Sequence, residues 1–224
     1  EMSAVVIGAG LGGPSRVLAE QFGVWISGFE ENEEMVKKAN DLSKVADLED
    51  KAVTIQYDPT SDAPFDRRYD RAFSKEAFYM IKDKPTLLGH LFEQLKDDAL
   101  FLMTDYVLSD VSALENPDVQ KWLVQEATPP VPVTSEVLAG MLEKAGFGLR
   151  VNEDISKDYI ELITNSWSNA DKVAAQLAEK KEDSADLINV LMKEAEFWSL
   201  KAQLLKEGHI KVWRFVAHKK AEVK

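Results

Sequence analysis

The sequence predicts an α/β domain of Rossmann-like type, with seven strands in a mostly parallel sheet and helices on its faces. Three observations carry this. Short apolar runs of strand character alternate with helical patterns from the first residues onward. A glycine-rich turn, Gly8-Ala9-Gly10-Leu11-Gly12-Gly13, separates the first strand from the first helix. An acid, Glu30, closes the second strand 22 positions beyond Gly8.

Ala4 to Ile7 is an apolar run of buried-strand type, and a helical pattern follows from Pro14 to Phe22. Val24 to Phe29 reads as the second strand. Asn32 is placed to cap a helix through about Leu42. Val53 to Tyr57 is a third strand, ending at Asp58, and Tyr69 to Phe73 a weaker fourth. From Asp83 to Lys96, Leu87, Leu88, Leu91, Phe92 and Leu95 share one helical face, and Ala99 to Thr104 forms a fifth strand. The Thr128-Pro129-Pro130-Val131-Pro132 segment breaks regular structure. A helix capped by Thr134 or Ser135 then runs to Ala145, with Gly146 as its stop. Leu149 to Asn152 gives a sixth strand and Val212 to Ala217 a seventh, expected as an antiparallel edge.

Such alternation implies parallel β-α-β units with right-handed crossovers. Between the last two strands lies a late helical insertion. The expected division is residues 1–155 with 208–224 as the ligand-binding domain and 156–207 as a cap or interface. Leu187, Leu191, Ala195, Trp198, Ala202 and Leu205 form a stripe there that must be buried, and a homodimer through it is one expectation. The run Glu179-Lys180-Lys181-Glu182-Asp183 reads as a solvated turn.

Composition narrows the function. The 224 residues contain no cysteine, which excludes disulfides and thiolate nucleophiles. The formal net charge of -12 makes nucleic acid a poor partner. No apolar stretch approaches the roughly 20 residues that cross a bilayer, and no basic-then-apolar leader is visible, so a cytoplasmic protein is expected. Its three histidines lack metal-ligand spacing, so no metal is expected; His90 is placed on a polar helix face.

The glycine loop indicates an adenosine-type ligand. Glycines let the backbone turn tightly against it, the following helix offers free N–H groups, and Glu30 can accept both ribose hydroxyls. Gly8, Gly10 and Gly13 match the dinucleotide pattern; Gly8, Gly10 and Gly12 equally match the S-adenosylmethionine loop. A flavoprotein would show a second glycine pair after Glu30, and none is present.

Later motifs decide between them. Gly13-Pro14, Glu30 followed by Asn32-Glu33-Glu34-Met35, Asp58, Phe73-Ser74-Lys75-Glu76-Ala77-Phe78, Asp83-Lys84-Pro85, Leu102-Met103-Thr104-Asp105-Tyr106 and Met141 to Phe147 occur in one order. Over nearly its whole length the chain thereby resembles class I S-adenosylmethionine-dependent methyltransferases, nearest the phosphoethanolamine, sterol and glycine-type enzymes. The resemblance implies that S-adenosylmethionine binds along Gly8, Ala9, Gly10, Gly12, Glu30, Glu31, Met35, Asp58 and Ser74, leaving S-adenosylhomocysteine as product. It implies catalytic roles for Glu76 and Tyr106. Tyr79 and Asp105 would help to hold a small-molecule acceptor.

Two departures stand out. The position of the family's histidine falls at Met80, which cannot move protons, and the family's upstream helical cover has no counterpart in these 224 residues. Methyl transfer from a sulfonium is an in-line displacement whose leaving group needs no acid, so alignment supplies much of the acceleration. An amine needs a base least, which makes a small amine the expected acceptor. A lipid or sterol methyltransferase, and a catalytically inactive binding protein of the same fold, are the alternatives. Trp167 and Trp198 are read as packing residues, although tryptophan faces also attract ammonium groups.

Overall fold

A computed structural model describes residues 2–126, 128–179 and 184–221. The elements run β1 (Ser3–Ile7), α1 (Gly13–Phe22), β2 (Trp25–Glu30), α2 (Glu33–Val45), β3 (Ala52–Gln56), β4 (Tyr69–Lys75), α3 (Lys84–Gln94), β5 (Leu95–Leu108), α4 (Pro117–Gln125), α5 (Ser135–Lys144), β6 (Gly148–Asp154), α6 (Ser156–Trp167), α7 (Ala170–Glu179), α8 (Ser184–Glu207) and β7 (Ile210–His218). Single 3-10 turns at Phe78–Met80 and Val111–Glu115 complete them. The acidic run expected as a turn lies, from residue 180 to 183, outside the described residues.

The seven strands form one sheet in the order β3-β2-β1-β4-β5-β7-β6. The first five are mutually parallel, and β7 runs antiparallel to both of its neighbours. The expected mostly parallel α/β sheet is thus the one observed, with one correction. The antiparallel strand is not the edge: β7 inserts between β5 and β6 and leaves β6 outermost. It pairs from Leu100↔His218 to Leu108↔Ile210, so it satisfies the free side of the carboxyl-terminal part of β5, a strand of 14 residues. Ladder pairing outweighed sequence order.

Local chemistry explains the helix starts. Asn32 accepts from the Met35 N–H at 3.0 Å and Asp83 from that of Thr86 at 3.1 Å, caps worth about 1 kcal/mol each. The α1 helix opens on Gly12 and Pro14 without a side-chain cap, which leaves N–H groups at its start for another partner. One sheet face packs Val5, Ile7, Phe101 and Met103 against Leu87, Leu88 and Leu91 of α3 and Leu138 and Leu142 of α5. The other packs Ala4, Val6 and Ile26 against Ala19 of α1.

Helices α6 to α8 extend no strand. Helices α6 and α8 close over the ends of β5 and β7, where Tyr159, Ile163, Leu204 and Leu205 meet Tyr106, Leu108, Ile210 and Val212. The expected stripe on α8 is buried only in its carboxyl half. Leu205 is enclosed and Trp198 half-buried, whereas Leu187 is 46% exposed. Helix α8 also packs against α7, α6 and α4. His90 also departs from expectation: it is half-buried and its Nδ1 is enclosed without a partner, because α3 is covered on more than one side.

Candidate active site

The sheet order reverses between β1 and β4, and the carboxyl ends of these strands frame the place where doubly wound sheets bind ligands. From β1 the chain enters the glycine loop. Gly8, Gly10 and Gly12 adopt φ of +66°, +53° and +72°, which L side chains resist. The Gly8 and Ala9 N–H groups both donate to the Phe29 carbonyl at 3.0 Å, fastening the loop to β2. A Cβ at Gly8 would meet the Cβ of Ala77 at 2.2 Å, whereas one at Gly10 would meet nothing within 4 Å. The loop therefore presses on the segment after β4, and open space lies beside Gly10.

Glu30 clasps this loop. One carboxylate oxygen accepts from Gly10 N–H at 2.9 Å and the other from Asn32 N–H at 3.1 Å. Each oxygen keeps further lone-pair capacity for hydroxyl donors. Glu31 and Asp58 lie beside it, exposed. Burial, then the charges of Glu30 and Asp58, raise the Glu31 carboxyl, and burial with the same acids raises the Tyr57 phenol. Hydrogen bonds from Thr60 lower Asp58. Met35 is 43% exposed on the first turn of α2. An acceptor-rich rim, an apolar side chain and an uncapped helix start fit an adenosine carrying an amino acid. Two of the expected contact residues are buried. Ser74 is fully enclosed and its hydroxyl donates to the Ile7 carbonyl at 3.2 Å, tying β4 to β1, so its side chain does not face the loop. Ala9 is buried, packed where a Cβ at Gly28 would strike it at 2.8 Å, so only its backbone is placed to touch a ligand.

From β4 the chain turns through Glu76, a non-glycine residue held at φ +55°. Such strain persists only where surrounding contacts impose it. Here the Glu76 N–H donates to the Thr104 carbonyl at 2.8 Å, and its carboxylate meets Lys75 Nζ and accepts from the Tyr159 hydroxyl at 2.7 Å. Glu76 and Lys75 line a cleft of about 120 Å3 with Tyr159, Leu162, Ile163, Ser166, Trp167 and Trp198. Trp167 and Trp198, expected as packing residues, thus also wall this cleft.

Tyr79, Asp105 and Tyr106, expected at the acceptor, are buried one layer behind it. Tyr106 is 1% exposed, its ring 6.3 Å from that of Tyr159, and its hydroxyl is enclosed without a partner. Burial, then the charge on Glu76, pushes the Tyr106 phenol up. Asp105 is fully enclosed; one oxygen accepts from Tyr106 N–H at 2.9 Å and the other has no partner. Burial holds this carboxyl well above the ordinary range. The Tyr79 hydroxyl donates to Glu126 at 2.9 Å. Sequence reasoning missed Tyr159, Lys75, Glu126 and Lys201. Only Tyr159 carried a signal: a phenol on the apolar face of α6, four residues before Ile163.

Among the described residues, no group of three or more histidines, cysteines or carboxylates could hold a metal ion, and no helix is long and apolar enough to cross a membrane. The profile of the family described as "Methyltransferase domain" matches residues 3–150. The chain belongs to this methyltransferase family. Its similarity to curated methyltransferases extends further along the chain. A sterol 24-C-methyltransferase of Yarrowia lipolytica is 26% identical over 165 residues, 72% of this chain and 43% of that protein. Phosphoethanolamine N-methyltransferase 1 of Zea mays is 25% identical over 221 residues, 95% of this chain and 40% of that protein. The chain spans less than half the length of these two methyltransferases. Among solved structures, phosphoethanolamine N-methyltransferase 2 of Haemonchus contortus, in complex with phosphomonomethylethanolamine and S-adenosylhomocysteine, superposes with a TM-score of 0.78. The two are 21% identical over 99% of this chain and 49% of that one. A cyclopropane synthase from Mycobacterium tuberculosis gives a TM-score of 0.74 at 18% identity, over 97% of this chain and 78% of that one. Both share the class I methyltransferase fold.

Proposed function

We propose that this protein transfers the methyl group of S-adenosylmethionine to a small-molecule acceptor, and that the acceptor is an amine. The observation that carries the reading is the contact between its two halves. Because Gly8 abuts Ala77, the glycine loop and the carboxylate of Glu76 are held side by side at the switch point. Gly8, Gly10, Gly12, Glu30, Glu31, Met35 and Asp58 would hold the methyl donor, with its ribose hydroxyls on Glu30. The donor supplies an electrophilic methyl on a sulfonium.

The remaining steps belong to the chain. Glu76, aimed by Tyr159, orients the acceptor nitrogen and takes up or relays its proton. Trp167 and Trp198 offer faces that attract an ammonium and exclude water. With the half-buried Met80 in place of a histidine, no stronger base stands by, which suits an amine. A lipid or sterol acceptor is a second reading, favoured by Leu162, Ile163 and the two tryptophans on the cleft wall.

Calorimetry with S-adenosylhomocysteine, and turnover with amines, phenols and sterols, test the proposal. Glu30→Ala should weaken S-adenosylhomocysteine binding at least tenfold, about the 1–3 kcal/mol of charge-assisted hydrogen bonds. Wild type that binds no S-adenosylhomocysteine would refute the activity, and turnover confined to sterols or phenols would refute the amine.

A further inference from the structure

Behind the cleft lies a second cluster that the proposed chemistry does not use. Lys201 of α8 is buried, and its ammonium sits among five aromatic rings. Its Nζ is 4.4 Å from the Phe197 centroid, 4.5 Å from Tyr106, 5.1 Å from Trp198, 5.6 Å from Tyr79 and 5.9 Å from Trp122. Three donors then converge on one oxygen, Oε1 of Glu126: Lys201 Nζ at 2.9 Å, the Tyr79 hydroxyl at 2.9 Å and the Trp122 indole N–H at 2.8 Å. All three donor side chains are buried. Trp198 belongs both to this cage and to the cleft, and Tyr106 joins the cage to Tyr159.

An ammonium, a phenol and an indole N–H aimed at one point in a buried pocket make an anion-binding site. The chain fills that site from within. Glu126 caps the carboxyl end of α4, and its side chain is 10% exposed.

We infer that Glu126 is an internal anion that sets the charge of the acceptor. By occupying the pocket made by Lys201, Tyr79 and Trp122, it excludes amines that carry a phosphate or similar anionic group and admits those with an uncharged remainder. This rests on the reading of the cleft as the acceptor site. The physics is direct: a second anion brought beside Glu126 meets like charge in a water-poor site and finds its three donors already taken. Removing the carboxylate alone leaves Lys201 buried and unpaired, so the pocket then needs an external anion.

The test measures anion binding apart from methyl transfer. Inorganic phosphate and phosphoethanolamine are titrated into wild type, Glu126→Ala, Glu126→Gln and the double variant Glu126→Ala/Lys201→Met, at constant ionic strength. Thermal unfolding and calorimetry are the readouts. Wild type should show no stabilisation beyond a chloride control. Glu126→Ala should bind phosphate at least tenfold tighter than wild type, and the double variant should lose that gain. If Glu126→Ala folds only with phosphate present, the inference is supported. If it folds under neither condition, Glu126→Gln decides, with at least a threefold gain expected. Phosphate binding by wild type as tight as by a folded variant, or no gain in a folded variant, overturns it. S-adenosylhomocysteine titrated in parallel reports on the proposed activity separately. Its failure to bind wild type would refute that activity and leave the phosphate result standing.

Discussion

The Tyr159 hydroxyl donates to the Glu76 carboxylate at 2.7 Å, joining the helical insertion to the end of β4 across 83 residues of chain. The contact brings the insertion to the proposed acceptor site. It also fixes a side chain whose backbone is already constrained at φ +55°.

Tyr159→Phe should therefore lower kcat/KM for the acceptor about tenfold, the loss of one hydrogen bond to a charged group, and leave S-adenosylhomocysteine affinity unchanged. Burial, then the Glu76 charge and the hydrogen bond to it, raises the Tyr159 phenol above its ordinary value near 10. The donor thus stays protonated through the alkaline range, and the wild-type rate should show no falling limb from Tyr159 below about pH 10. Steady-state kinetics with calorimetry checks this; identical acceptor kinetics in the variant would remove Tyr159 from the site.

Gly8→Ala should abolish S-adenosylhomocysteine binding and destabilise the fold. The φ of +66° costs an L residue about 1–2 kcal/mol, and the new Cβ meets that of Ala77 at 2.2 Å. Adding Ala77→Gly removes the second penalty but not the first. The double variant should recover part of the urea midpoint. A recovery that is complete, or absent, would show that the two costs are not separable in this way.

Much of this was legible in the sequence, and the physical reason differs by element. The parallel core strands announce themselves as apolar runs because both faces are covered, and the glycine loop because positive φ demands glycine. The place of β7 was not legible. Its alternation shows a strand, but nothing in Val212 to Ala217 says that it slips between β5 and β6. Ser74 was placed in the site by motif order and Asp105 also by its position at a strand end, yet polar side chains there also serve to tie neighbouring strands and turns together. Tyr159 and Lys201 escaped notice because neither belongs to a motif or to the apolar stripe of the insertion. Only the fold reveals that they meet Glu76 and Glu126.

Lys84 offers a pH test of the scaffold behind the cleft. It is 2% exposed, and its ammonium donates to the Ile81 and Val131 carbonyls at 2.7 Å each. Burial, opposed in part by Asp105, brings its pKa down to about 8. An unfolded lysine titrates near roughly 10.4, so between these values the unfolded chain binds more protons and stability rises with pH. Urea unfolding should show the wild-type midpoint gaining on that of Lys84→Met from about pH 8 to about pH 9.5, before tyrosine ionisation intervenes. Parallel profiles for the two proteins would count against a depressed lysine.

The strained backbone at Glu76 separates chemistry from stability. Asparagine tolerates the left-handed region better than glutamine, and both lack the carboxylate. Glu76→Asn should therefore unfold at a higher temperature than Glu76→Gln, by about 0.5–1 kcal/mol in stability. Its shorter side chain forfeits the Tyr159 contact, which opposes the gain, so the ordering holds only if strain outweighs that hydrogen bond. A neutral bond from the glutamine amide contributes about 0.5–1.5 kcal/mol, so the order of the two unfolding temperatures measures the strain against that bond. Activity should follow the other rule. If the carboxylate orients the amine and receives its proton, both variants should lose amine turnover by about 100-fold or more, the lower end for a positioned base. Their S-adenosylhomocysteine affinities should match wild type, because the donor site on Glu30 is untouched. Calorimetry, thermal unfolding and turnover on the same preparations settle the three quantities together. Amine turnover that survives in both variants would remove Glu76 from the chemistry, and a lower unfolding temperature for Glu76→Asn would show that the strain at this turn is smaller than one hydrogen bond.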